Sequence, residues 1–157
     1  MMMEGLHVVA NRDVTKITLE GVPDRPGIAA EIFGTLGAQG YNVELVVSTG
    51  GSVGRGDISL AVSRGQEEAI LRALEALRDE VGAQALRASS TVSLVSIVGQ
   101  HLSTEPGIAG RVFRALSARG INIEVISTSM SSVTCMIDES RTEEAVAALR
   151  EEFKTAG

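Results

Sequence analysis

Apolar residues change their spacing along the chain, and the changes mark out two similar strings of elements. Residues 5 to 10 (GLHVVA) are dense enough in apolar side chains for a short strand, and Val14 to Glu20 alternates Ile17 and Leu19 with Lys16, Thr18 and Glu20, as a half-buried strand does. Pro23 and Pro26 then stop the ladder. With Pro26 in a first turn, Ala29, Ile32, Phe33 and Leu36 recur at helical spacing, which predicts a helix that Gly37 and Gly40 close. Asn42 to Ser48 returns to alternation, with Val43, Leu45 and Val47 on one face. Thr49 to Gly56 (TGGSVGRG) predicts a mobile hairpin loop into a strand at Asp57 to Ser63. Gln66 to Val81 has Ile70, Leu74, Leu77 and Val81 on one helical face, and Gly82 ends it before a strand near Ala83 to Ala88.

The same order then recurs. Strand periodicity covers Thr91 to Val98, Ile121 to Thr128 and Val133 to Ile137; helical periodicity covers Pro106 to Ala118 and Thr142 to Phe153. With Pro26 laid on Pro106, the nineteen positions from Pro26 to Glu44 match at ten. A repeat of this kind means one structural unit used twice. Each copy reads as βαββαβ, so the fold class is α+β, with two ferredoxin-like units packed together over residues 14–90 and 91–157. The second copy stops one strand short after Phe153, while residues 5 to 10 are a strand to spare. The expectation is that this amino-terminal segment completes the second sheet.

Composition narrows the function. The chain has 157 residues, 44% of them hydrophobic but only 3% aromatic, so its cores are built from Val, Ile, Leu and Ala. A net charge of −6 disfavours a phosphate-neutralising surface, and an RNA-binding ferredoxin-like sheet would need stacking aromatics and a basic face that are missing. No nucleic acid is expected as a partner. The single cysteine, Cys135, fits a reducing cytoplasm, and no run of 18 apolar residues suggests a membrane span.

Catalytic readings find little support. His7 falls in a strand, and His101 lies in a loop without the strand-turn-helix setting of a serine nucleophile. Cys135 sits between Val133 and Ile137 in an apolar strand, where packing is the simpler role. The histidines are too far apart in sequence to give metal-ligand spacing, so no metal or cofactor is expected. The glycine-rich loop lacks the Gly-Lys-Ser/Thr ending and the following helix of a phosphate cradle, and its Arg55-Gly56-Asp57 is taken as a chance match to an adhesion tripeptide. What stands out is the doubled Pro-Gly-Ile-Ala opening of a helix. Unpartnered N–H groups and a partial positive charge there suit a carboxylate. Asn42 and Glu44, with Asn122 and Glu124, are candidates to join it in holding a free amino acid; turn chemistry alone is the competing reading.

The runs VTKITLEGVPDRPGIAAEIF, DISLAVS, VSIVG, PGIAGRVFRAL, GINIEVISTS and AVAALREEF resemble the paired ACT domains at the carboxyl end of aspartate kinase, from about Gly5 to Phe153. The resemblance implies a module that binds threonine, lysine or both and reports end-product levels of the aspartate pathway to a kinase. The kinase's ATP-dependent catalytic domain has no counterpart here, so the chain is not expected to be an enzyme on its own. It is similar to the small regulatory subunit that some bacteria make from an internal start, or to an excised regulatory domain. A homodimer through the ACT domains, an amino-acid effector and the catalytic subunit are the implied partners. The alternative is a free-standing ACT-domain amino-acid sensor with another partner or ligand.

Carried over residue by residue, the first effector site comprises Asp24, Arg25, Pro26, Gly27, Ile28, Ala29, Asn42, Val43, Glu44 and Ser48, with Asp57 on the adjoining strand. The second comprises Thr104, Glu105, Pro106, Gly107, Ile108, Ala109, Asn122, Ile123, Glu124, Thr128 and Ser129. Two departures from the family pattern stand out. Met130-Ser131-Ser132 replaces a usual Glu-Ile-basic run, which removes an acid suited to a lysine ammonium, and Ser48-Thr49 replaces a usual Gln-Asn.

Overall fold

The structure is a computed structural model and describes residues 5–50, 54–100 and 102–154. The chain divides into two compact units: one is Asp13–Ser90, and the other joins the segment up to Arg12 with the segment from Thr91. The first runs β2 (Thr15–Pro23), α1 (Ile28–Ala38), β3 (Val43–Gly50), β4 (Arg55–Val62), α2 (Glu67–Val81) and β5 (Ala85–Ser89). The other runs β6 (Val92–Val98), α3 (Ile108–Ala118), β7 (Val125–Thr128), β8 (Ser132–Asp138) and α4 (Thr142–Phe153), with β1 (His7–Asn11) added from the start of the chain.

Each sheet is antiparallel, in the orders β3-β4-β2-β5 and β7-β8-β6-β1. The missing strand of the second unit is therefore β1, which pairs with β6 from His7 opposite Val98 to Asn11 opposite Leu94. It starts two residues later than its apolar run suggests, because Gly5 turns the chain at φ +76°. Leu6 and Val8 go into the core of the second unit beside Val95, Ile97 and Phe153.

The two cores use the same helix-on-sheet plan. Ile28, Ile32 and Leu36 of α1 and Ile70, Leu74, Leu77 and Val81 of α2 cover Ile17, Leu19, Ile58, Leu60 and Val62. In the second unit Ile108, Val112 and Leu116 of α3 and Ala145, Leu149 and Phe153 of α4 cover Val95, Ile97, Val133, Cys135 and Ile137. Each Val, Leu, Ile or Phe among these contributes roughly 1.5–3 kcal/mol by leaving water. Charge placement favours the second helix of each unit: Glu67 and Glu68 open α2 and Glu143 and Glu144 open α4, with Arg78 and Arg150 in the last turns.

The first helices begin two residues later than expected. Pro26 and Pro106 belong to a turn, not to the helix, because Gly27 and Gly107 that follow are left-handed, with φ of +88° and +86°. A side chain there would be strained, which explains the Pro-Gly pair in both copies. The strand expected at 121–128 is shorter, Val125–Thr128, and Glu124 only approaches the ladder through its N–H on the Met136 carbonyl, 2.8 Å.

Candidate effector site

The first candidate site grows out of the end of β2. The ladder between β2 and β4 shifts between Leu19 and Val22, a bulge centred on Gly21 at φ +62°. Past the bulge Val22 and Pro23 still pair with Gly56 and Arg55; the chain leaves the sheet after Pro23 but stays fastened beside it, since the Asp24 N–H donates to the Gly54 carbonyl at 2.7 Å. Gly27 then opens α1 with no side-chain cap. The first turn of the helix thus keeps backbone donors that no capping side chain takes up, together with the positive end of its dipole.

A recess of about 80 Å³ forms between this loop and the ends of β3 and β4, lined by Val22, Pro23, Asp24, Ile28, Ser48, Thr49, Gly50, Gly56, Asp57 and Ile58. Four residues expected at the first site, Asp24, Ile28, Ser48 and Asp57, meet there. Ile28 is buried and gives the recess an apolar wall, while Asp24 and Asp57 are exposed at its rim. Carboxylates beside a helix amino terminus supply both signs needed for a zwitterion. Thr49 also lines the recess; the sequence marks it only as part of the Ser48-Thr49 departure from the family pattern and not as a site residue, although its place beside Ser48 at the end of an alternating strand is a signal for it.

Other expected members of that site are placed differently. Pro26, Gly27 and Ala29 are exposed in the turn and first helical residues, and Arg25 pairs with Glu31 at 3.3 Å. Asn42, Val43 and Glu44 lie at the opposite end of the unit. Val43 pairs with Val62, whereas Thr49 pairs with Asp57 at the recess end of the same ladder. Five strand residues, about 16 Å, separate Val43 from Ser48. The reason is geometric: α1 runs the length of the sheet, so the strand after it starts at the end remote from the helix amino terminus. Within this unit the expected neighbourhood of helix opening, amide and acid is therefore not formed.

The second copy has the same ends with a different filling. Its loop from Gly99 to Gly107 is two residues longer than Gly21 to Gly27. It contains a 3-10 turn at Leu102–Thr104, and Leu102 is buried in the core against Ile108 and its neighbours. Thr104, Glu105, Pro106 and Gly107 are exposed, Ile108 is buried and Ala109 half-buried. Thr128 and Ser129 stand at the same end of the sheet, where the Ser129 and Ser132 hydroxyls lie 2.9 Å apart and Ser129 Oγ accepts from the Ser131 N–H at 3.2 Å. Asn122, Ile123 and Glu124 again lie at the far end. Asn122 and Ile123 line an open groove with Phe113, Ser117, Gly120, Ile121 and Ile126 beside the end of α3.

Cys135 is fully buried, and burial pushes its thiol up to about 11, the reverse of an activated nucleophile. Asp138 is held below the usual carboxylate range by hydrogen bonds from the Ser140 side chain and N–H, where it caps the turn ahead of α4. His101 lies outside the described residues, as do positions 51–53 of the glycine-rich loop. Among the described residues, no cluster of three His, Cys, Asp or Glu is placed to hold a metal ion. No described helix is long and apolar enough to cross a membrane.

Comparison with known proteins matches the ACT-domain family twice, over residues 17–82 and 95–153. The aspartate kinase of Pseudomonas fluorescens (strain SBW25) is 35% identical over 147 residues, which is 94% of this chain but 36% of the relative. The chain thus spans about a third of the length of the curated relatives it matches. Among solved structures, the regulatory subunit of aspartate kinase from Thermus thermophilus, in a ligand-free form, superposes with a TM-score of 0.87 at 31% identity, covering 93% of this chain and 96% of that one. A chain from the structure of aspartokinase alpha and beta subunits gives 0.87 at 33% identity, covering 94% and 97%. Two ACT domains in this order, matched end to end by a regulatory subunit, place the chain in the tandem-ACT regulatory family of aspartate kinase.

Proposed function

We propose that this chain is an amino-acid-binding allosteric module of aspartate kinase, taking threonine, lysine or both as effector and passing the occupancy of its sites to a kinase catalytic subunit or domain. The observation that carries the reading is the end-to-end match to a regulatory subunit of that enzyme. The recess of the first unit supports it with chemistry: the Asp24 carboxylate for an ammonium, uncapped helix donors for a carboxylate, and Ser48 and Thr49 beside them. In this reading the chain needs no cofactor and catalyses nothing itself. It works in the cytoplasm as a homodimer joined through its ACT domains. The effector acts by binding one state of the kinase assembly more tightly than the other, a coupling typically worth about 1–3 kcal/mol. The absence of an acid from Met130-Ser131-Ser132 favours threonine over lysine at the second site, and it equally suits an ACT sensor with a different ligand.

A thermal-shift series with all free amino acids tests this. An effector at 100 times its dissociation constant stabilises the folded chain by roughly 2.7 kcal/mol, read as a rise in melting temperature. A shift with threonine or lysine that Asp24→Ala abolishes is expected. No shift with either of them, alongside a shift with another amino acid, moves the chain to the sensor reading.

A further inference from the structure

Gly21 lies at the centre of the β2 bulge, and both of its backbone groups are taken by side chains from β4. Asp57 Oδ1 accepts from the Gly21 N–H at 3.0 Å. Arg55 Nη1 donates to the Gly21 carbonyl at 2.6 Å and also to the Gly82 carbonyl at 2.9 Å, where α2 ends. Arg55 and Asp57 are two apart on one strand, so they leave it on the same face. Together they grip one residue from both of its polar sides. Glycine suits position 21: at φ +62° a side chain is strained, and a Cβ there would come within 2.3 Å of the Gln84 side chain and oblige it to move.

The second copy has no such grip. Its corresponding Gly99 donates directly to the Ser131 carbonyl at 2.9 Å, because the hairpin between β7 and β8 is short enough to bring that backbone alongside. In the first copy the hairpin between β3 and β4 is longer, and side chains replace that backbone contact. Three residues beyond Gly21, Asp24 is tied to Gly54, so the bulge and the recess loop are fastened to the start of β4 and the residue just before it.

Resting on the amino-acid-binding reading above, we infer that Arg55 and Asp57 are positioning residues: they clamp the Gly21 bulge and so fix the segment from Val22 to Gly27, the end of β2 and the turn after it, that walls the recess. Asp57 contributes an acceptor to the backbone. It does not serve as the counter-charge of the effector's ammonium, a role left to Asp24, whose side chain has no partner among the described residues. The sequence motif that looked like an accidental adhesion tripeptide is the clamp itself.

Asn and Ala at position 57 separate the two roles, because an Asn carbonyl still accepts from Gly21 and carries no charge. Full-length chains are compared by calorimetric titration with threonine and with lysine, and by amide exchange at Gly21 and along residues 22–27. Asp57→Asn is expected to keep slow Gly21 exchange and an affinity within about threefold of the parent, while Asp57→Ala speeds exchange and weakens binding about tenfold, the size of one hydrogen bond to a positioned group. Arg55→Ala should loosen the same amides. The inference is overturned if Asp57→Asn loses binding as fully as Asp57→Ala while the Gly21 amide stays protected, since the charge would then be the working part. It is equally overturned if Asp57→Ala leaves exchange at Gly21 unchanged. Should the parent bind neither amino acid, the functional reading fails but the clamp does not, and the exchange data decide it alone.

Discussion

The two units are built from the same elements, and they differ most where the first strand hands over to the first helix. In the first unit seven residues, Gly21 to Gly27, make the turn and leave a recess; in the second, nine residues do so and Leu102 is sunk into the core. One loop is held from outside by Arg55 and Asp57, the other from inside by an apolar plug. Duplication preserved the Pro-Gly turn, the buried helix face and the ladder register. It left the means of fastening the loop free to change. The comparison separates what the fold needs from what a ligand could use.

Matched substitutions sharpen this. Leu36 and Leu116 are equivalent, fully buried helix residues, and truncating either to Ala should cost about 2–5 kcal/mol, measured by urea unfolding. Similar costs would confirm that the cores are interchangeable in kind, and a large inequality would break the comparison at its base. Next in size is an effect confined to the second unit. Cys135 stands where the first unit has Leu60, and its thiol is raised from an ordinary value near 9 to about 11 by burial. The unfolded chain ionises first as pH rises, so the contribution is intact below about pH 9 and is lost progressively towards pH 11. That amounts to roughly 2–3 kcal/mol at most. Stability followed from pH 8 to 11 should fall less steeply in Cys135→Ala than in the parent, and equal slopes would contradict the assignment.

Smaller still is the seam between the first strand and the second helix. Ser93 and Thr142 share a buried hydroxyl contact of 2.7 Å, whereas the equivalent Thr15 donates to the half-buried Glu67 at 3.2 Å. Ser93→Ala is expected to cost about 1 kcal/mol and Thr15→Val about half that, because Glu67 can turn to water. The least change should come at the ends of the second helices. Gly82 caps α2 in the left-handed conformation at no cost, but Lys154 does the same for α4 at φ +51°. Lys154→Gly should therefore raise stability by about 0.5–1 kcal/mol, seen as a higher urea midpoint, while Gly82→Ala should lower it.

Much of this was legible in the sequence, for identifiable reasons. Period-2 and period-3.6 patterns specify the strands and helices because one face of each is buried, and the truncated second copy pointed to the amino-terminal strand that completes it. The periodicity places the helix starts two residues early because proline suits a first turn equally well outside a helix, and only the left-handed Gly27 and Gly107 distinguish the cases. Recurrence in both copies groups Asn42 and Glu44 with the helix opening, but spacing along the chain does not convey that an eleven-residue helix carries them to the far end. The Arg55–Asp57 clamp joins positions more than thirty residues apart through a bulge, and nothing in a glycine-rich segment announces such pairing. Leu102 looked like any loop residue, since burial of a single apolar side chain leaves no periodic trace.

The central claim is that the first unit's recess receives an amino acid. Amide chemical shifts of the isotope-labelled chain, titrated with threonine and separately with lysine, test it most directly. The account predicts saturable shifts, with at least one of the two, concentrated at Asp24, Arg25 and Gly27 to Ala29 and at Ser48 and Thr49. Titration to millimolar concentrations with no movement at those residues, or with movement confined elsewhere in the chain, would contradict it.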